Sequence, residues 1–157
     1  MIFKVQNGTR TSTRFEEYRE LVKSRAGLSA GTGGGTCEEN VRCVADGNEM
    51  MRFYCLGPAG DARGGGAWVF TGVKGSTAIC TFSGSGGAHE SAGRGKGRRA
   101  MLVCRVVAGR VSKGIGFGSL LGEEERVGLD SVSGDGGELL VFDSRAVLTC
   151  FLIIYQL

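Results

Sequence analysis

The sequence predicts an α+β domain built from short strands and an N-terminal helix. Three features predict it. Glycine accounts for 29 of 157 residues against a single proline, roughly 2.5 times ordinary glycine usage. That composition suits short strands joined by glycine turns better than a helical bundle. One segment near the N-terminus has helical periodicity, and strongly apolar runs gather toward the C-terminal end. With 41% hydrophobic residues, the chain is long enough for one compact domain, 1–157, with a sizeable core.

The elements follow in order. "IFKVQN" (2–7) alternates and reads as a strand, stopped by the turn signal Asn7-Gly8. In "TRFEEYRELVKSRAG", Thr13 and Glu16 fit a capping box. Phe15, Tyr18, Leu21 and Val22 fall on one helical face, and Gly27 is a natural stop. "LSAGTGGGTCEEN" reads as a glycine-rich loop. A turn at Asp46-Gly47 leads to a strand over 50–55. "GPAGDARGGG" is a second loop. "AWVFTGV" (67–73) and "STAICTF" (76–82) read as two short strands, or a helical turn and a strand, with Trp68 partly buried. "SGSGGAHESAG" is a turn feeding a short helix. "RAMLVCRVVAGRV" (99–111) is apolar on both faces except at Arg105, as a central strand requires. Residues 113–137 read as loop with a short acidic run. "ELLVFD" and "AVLTCFLIIYQ" are two more strands, separated by Ser144-Arg145. The last should be buried, since an open apolar edge invites aggregation.

Several function classes are disfavoured. A net charge of +3 is too small to argue nucleic-acid binding, and the basic cluster Arg94, Lys96, Arg98, Arg99 reads as a solvated loop. The six cysteines include no C-x-x-C, and no Cys/His pair has zinc-finger spacing; no metal site is expected. There is no signal-peptide pattern and no run of roughly 18 apolar residues, so the expected setting is intracellular with reduced thiols. "GIGFG" and "GRGKG" complete neither phosphate-binding fingerprint. No G-x-S-x-G elbow occurs. His89 is the only histidine. It could serve as base to a Ser or Cys nucleophile, but the simpler expectation is a surface helix position.

Several stretches together, "RFEEYRELVKSRA", "RCVADGNEMMRFYC", "SGSGGAHES", "RRAMLVCRVVAGRV", "LDSV" and "ELLVFDSRAVLTCFLIIYQ", resemble the C-terminal domain of a plant family of zinc-finger proteins. That domain is similar to the catalytic domain of poly(ADP-ribose) polymerases. The resemblance runs from about Ile2 to Leu157, with the glycine loops as gaps, and the chain carries no zinc finger. It implies the ADP-ribosyltransferase fold, in which two small, mostly antiparallel sheets pack on each other and form a cleft for NAD+. In active members a His binds the ribose, a Tyr stacks on nicotinamide, and a Glu at the head of a later strand stabilises the oxocarbenium-like transition state.

Carried across, Glu138 in "GELLVFD" matches that Glu. Tyr54 in "RFYCLG" stands where the His belongs, and Cys55 at the adjacent glycine. Cys80 in "AICTFSG" replaces the stacking Tyr, and a second aromatic expected near Ser91 is missing. The implied catalytic positions are thus Glu138, Tyr54 and Cys80, and the cofactor-binding positions Tyr54, Cys55, Ser83 and Ser85. The replacements matter. Cys80 cannot stack, a loss of roughly 0.5–1.5 kcal/mol beyond area effects, and Cys55 adds a Cβ where backbone should approach nicotinamide. Each position also has a plainer reading: a solvated strand flank for Glu138, a core aromatic for Tyr54, packing for Cys55 and Cys80, turn residues for Ser83 and Ser85.

The expectation is a degenerate, non-catalytic interaction module that retains a cleft for NAD+, ADP-ribose or a peptide. The alternative is an active mono-ADP-ribosyltransferase or NAD+ hydrolase, with Tyr54 orienting ribose and Glu138 as the electrostatic stabiliser. A third reading is a structural partner-binding domain using an exposed edge or the acidic run Glu123–Glu125. No cofactor is required; NAD+ is a candidate ligand or substrate. A protein partner is expected, with no direct nucleic-acid contact, no membrane, and a nuclear or cytoplasmic location.

Overall fold

The computed structural model describes residues 1–28, 37–56, 69–71, 77–93, 97–113 and 128–156, with backbone alone at 37–40, 69–71 and 77. Residues 29–36 of the predicted glycine loop 28–40, the predicted loop 57–66, Trp68, Arg94 and Lys96 of the basic cluster and the acidic run Glu123–Glu125 lie outside the described residues. Leu28 ends one helix and Cys37–Asn40 open another where the sequence reads as loop, and Arg98 and Arg99 lie in a strand, with Arg99 only 3% exposed, rather than in a solvated loop.

The fold is α+β. Strand β1 (Ile2–Lys4) leads into helix α1 (Thr9–Leu28), helix α2 (Cys37–Asp46) and strand β2 (Glu49–Leu56). Strands β3 (Val69–Thr71) and β4 (Thr77–Phe82), helix α3 (Ser85–Ser91), and strands β5 (Arg98–Val107) and β6 (Val111–Lys113) follow. Strands β7 (Ser131–Ser133), β8 (Glu138–Val141) and β9 (Val147–Gln156) close the chain.

The strands form one sheet in the order β1-β9-β5-β2-β4-β8-β7-β6, with β3 added on β4. All pairs are antiparallel except β6 with β7. The expected pair of separate sheets is therefore corrected to one continuous sheet, but with a joint. β2 and β5 pair over eight residues, whereas β2 and β4 share only Phe53 with Phe82. One ladder pair holds two half-sheets edge to edge.

Helix α1 buries Phe15, Tyr18, Val22 and Ala26, the i, i+3, i+7 spacing of a single face. It begins at Thr9, so Thr13 lies inside it and does not cap it; it passes Gly27 to end at Leu28. Phe15, Tyr18 and Val22 join Leu102, Val106, Leu139 and Val141 in the main core. Ion pairs fix the helix to the sheet. Glu49 accepts from Arg19 at 2.8 Å and from Arg105 Nη2 at 3.1 Å, and the Arg105 guanidinium lies 5.0 Å from the Phe15 ring centre.

The predicted turn after residue 46 is present. Gly47 and Asn48 both have positive φ, and a Cβ on Gly47 would sit 3.1 Å from Val107 Cγ1. This turn docks against the bend at Gly109: Gly109 donates to the Gly47 carbonyl at 2.9 Å, and Asn48 Nδ2 donates to the Gly109 carbonyl at 3.1 Å. That bend ends β5 at Val107, so the single strand expected over 99–111 is split in two. The terminal strand β9 is interior to the ladder because β1 covers its edge. Its outer face is less buried than expected, with Phe151 37% exposed. None of the described helices is long and apolar enough to cross a membrane.

Candidate functional site

The predicted site residues gather around the joint. Glu138 is the first residue of β8, opposite Phe82 on β4; Cys80 is opposite Leu140. Residues opposed across an antiparallel ladder share a face, and successive residues alternate. Glu138, Phe82, Cys80 and Phe53 therefore line one side. Tyr54 follows Phe53 by one residue and projects from the other side of β2, where it packs against the main core. Cys55 returns to the Phe53 side, in a second cluster with Ala88, Met101 and Phe82.

The Glu138 carboxylate turns back over its own hairpin and accepts the Gly136 N–H at 2.9 Å. The glycines of "GDGG" make room for this. A Cβ on Gly134 would lie 2.6 Å from Glu138 Oε2, and one on Gly136 would lie 2.5 Å from Oε1. Any side chain at either position would displace the carboxylate. Phe82, directly opposite, packs on α3, where a Cβ on Gly87 would meet its ring at 3.3 Å. The ground between Glu138 and α3 is thus occupied by an aromatic side chain of the protein itself.

Arg52 was not among the residues singled out from sequence, yet it organises this region. Only 7% exposed, it donates through Nε to Thr81 Oγ1 at 3.2 Å, and through Nη2 to the Thr81 carbonyl at 2.9 Å and the Gly137 carbonyl at 2.7 Å. Ser83 N–H also donates to Gly137, at 2.9 Å. One guanidinium from β2 thereby spans β4 and reaches the turn that carries Glu138. The only hint in the sequence is a cation inside the apolar run "EMMRFYCL", which by itself reads as a solvent-facing residue.

The electrostatics follow from burial. Burial pushes the Cys80 thiol up to about 11, the Glu138 charge adds to the rise, and Arg52 only partly offsets it. Cys80 is a neutral thiol near pH 7 and a poor nucleophile. Burial first, then the neighbouring Cys80 and Cys55, raise the Tyr54 hydroxyl, so Tyr54 is a hydrogen-bond donor at neutral pH. Ser83 and Ser85 are exposed. Ser83 lies beside Gly137, while Ser85 opens α3.

His89 is corrected from a surface position. It is half-buried, with Nδ1 2.6 Å from the Tyr155 hydroxyl. Among the described residues no group of three or more His, Cys, Asp or Glu side chains is placed to hold a metal ion. No protein-family model matches the chain, and no curated protein matches it.

Proposed function

We propose that this chain is an ADP-ribosyltransferase-like domain that has lost transfer chemistry and works as an interaction module. The resemblance in sequence supplies the family, and the arrangement around Glu138 supports the loss. Catalysis needs a carboxylate free to meet the ribose hydroxyl and a substrate held in register beside it. Here the carboxylate is engaged by the Gly136 N–H at 2.9 Å. The observation that carries the reading is Phe82, which sits opposite Glu138 and against Gly87 of α3. A nicotinamide ring on that side of Glu138 would have to displace it.

A protein partner is the expected ligand class. Phe53, Val103 and Phe151 align across β2, β5 and β9, and exposed Met51 and Ile2 extend this apolar row. Phe53 and Val103 are half-buried and Phe151 is exposed; exposed apolar patches mark sites of protein association. NAD+ or ADP-ribose remains a ligand to test, in a nuclear or cytoplasmic setting.

The decisive experiment is transfer from labelled NAD+ by the wild-type chain and by Glu138→Gln, alongside calorimetry with NAD+ at millimolar concentration. Neither protein should transfer or hydrolyse. Turnover by the wild type that disappears in the Glu138→Gln variant would overturn the proposal in favour of a mono-ADP-ribosyltransferase or NAD+ hydrolase.

A further inference from the structure

Four elements converge on a second group of reactive side chains, outside the Glu138 region. Cys55 comes from β2, His89 from α3, Arg99 from β5 and Tyr155 from β9. The Tyr155 hydroxyl lies 2.6 Å from His89 Nδ1 and 3.4 Å from Cys55 Sγ. We propose that Cys55 is a peroxide-reactive thiol whose proton is relayed through Tyr155 to His89.

The direction of the protons follows from Arg99. Its guanidinium has donors only. Nη1 donates to the His89 carbonyl at 3.1 Å and lies 3.5 Å from His89 Nδ1; Nη2 donates to the Gly93 carbonyl at 2.5 Å. A donor-only cation beside Nδ1 selects the tautomer in which Nδ1 accepts and Nε2 carries the proton. The Tyr155 hydroxyl then donates to Nδ1, which leaves its oxygen lone pair facing sulfur. The Cys55 S–H donates to Tyr155; the Leu56 carbonyl at 3.6 Å is a longer alternative. Burial, reinforced by the Cys55 contact and only partly offset by the Arg99 guanidinium, pushes the Tyr155 hydroxyl up to about 12, so Tyr155 keeps a proton to pass on. Nucleophile, relay, base and a group that orients the base make up the arrangement of an activated thiol.

Access selects the electrophile. Cys55 is 5% exposed, and Ala88 of α3 packs against it. Helix α3 has seven residues, contains Gly86 and Gly87, and has no side-chain cap at its N-terminus. Its uncapped first turn, Ser85–Gly87, frays at little cost while His89 stays held through its carbonyl to Arg99, and a small neutral molecule such as hydrogen peroxide can then reach sulfur. Sulfur attacks one peroxide oxygen; the S–O bond forms as the O–O bond breaks. The thiol proton moves to the Tyr155 oxygen as the Tyr155 proton moves to His89. The departing hydroxide recovers that proton as water. Cys55 is oxidised by two electrons to the sulfenic acid, and one peroxide is reduced to two oxygens at the water level, one of them on sulfur.

The test is the rate of sulfenic acid formation at each cysteine of the reduced 157-residue chain, trapped with dimedone and mapped by peptide mass spectrometry. Cys80 and Cys150 are more exposed than Cys55, so exposure alone ranks Cys55 behind both. The proposal expects Cys55 to react first. It expects Tyr155→Phe to slow Cys55 about tenfold or more while Cys150 is unchanged, and deuterium oxide to slow the wild type but not Tyr155→Phe. His89→Gln tests the same relay and carries the experiment should Tyr155→Phe fail to fold. Cys55 trailing Cys80 and Cys150, or reacting at the wild-type rate in a folded relay variant, overturns the proposal.

Discussion

Replacing Arg52 by Met tests whether one side chain holds the two half-sheets together. Methionine fills most of the volume and removes all three hydrogen bonds, to Thr81 Oγ1, the Thr81 carbonyl and the Gly137 carbonyl. Bonds from a charged donor contribute about 1.5–3 kcal/mol each, and the 3.2 Å bond to Thr81 Oγ1 belongs near the neutral range of about 0.5–1.5 kcal/mol. The gross loss is about 3.5–7.5 kcal/mol on those figures. Against this, the variant no longer buries a guanidinium whose desolvation costs several kcal/mol. Burial also lowers the Arg52 pKa, with Cys80 and Glu138 opposing, although an arginine so placed stays charged. Taking about 3 kcal/mol for that cost leaves a net destabilisation of about 0.5–4.5 kcal/mol, a fall in Tm of roughly 1–18 °C for a chain of this size. Urea unfolding gives the first figure and a thermal scan the second. Hydrogen exchange at the Ser83 amide, bonded to the Gly137 carbonyl at 2.9 Å, should accelerate while amides in the β2–β5 ladder change less. A variant as stable as wild type, with Ser83 still protected, would refute the idea that Arg52 clasps the joint.

Other outcomes follow from the same geometry. The Glu49 carboxyl is pushed up by burial, but hydrogen bonds from Arg105 and then Arg19 outweigh this and hold it below the usual 4.5. Its contribution is therefore present above the unfolded value and lost as pH falls through the lower folded one. Glu49→Gln should lower stability at neutral and alkaline pH without changing its slope there, and flatten the acid side of the stability–pH curve below about pH 5, as read by urea midpoints across pH. Gly109 has φ +60, and an added Cβ would strike the Asp130 carboxylate. Gly109→Ala should cost about 1–3 kcal/mol and lower the urea midpoint accordingly.

Much of the scaffold is legible because its signals are local. The face Phe15, Tyr18, Val22 marks α1, and the runs around Cys80, Glu138 and Phe151 mark β4, β8 and β9 within a residue or two of their ends. Helix α2 is missed because its apolar residues do not mark its buried face: Val41 and Val44 are exposed, while Cys43 is buried. Strand β7, only Ser131–Ser133, has no periodicity to read; its partners β6 and β8 make it a strand. The site divides in the same way. Glu138 and Cys80 sit on β8 and β4, strands that their own apolar runs mark and that pair in the sheet. Arg52 reads as a solvated cation until β4 and the 134–137 turn fold over it. His89 and Tyr155, 66 positions apart, share no pattern, and only the closing of β9 onto β5 under α3 brings them together.

The joint explains why a cleft beside Glu138 and a stable sheet compete in this chain. Phe53 and Phe82 form the one ladder pair between the half-sheets, and Phe82 is also the ring that occupies the ground between Glu138 and α3. Moving Phe82 aside for a ligand would unpack α3 from Gly87 and loosen that pair at once. Freeing the Glu138 carboxylate breaks its bond from the Gly136 N–H, in the turn that the Gly137 carbonyl anchors to Arg52 and Ser83. An enzyme needs its acid and its substrate pocket preorganised, so that binding energy is not consumed in breaking the scaffold. Here moving Phe82 would draw on the contacts that hold the halves together. A ligand that leaves the joint intact and rests on the row Met51, Phe53, Val103 and Phe151, exposed at Met51 and Phe151 and half-buried between them, meets no such opposition, and on energetic grounds that favours a bound partner over a turned-over substrate.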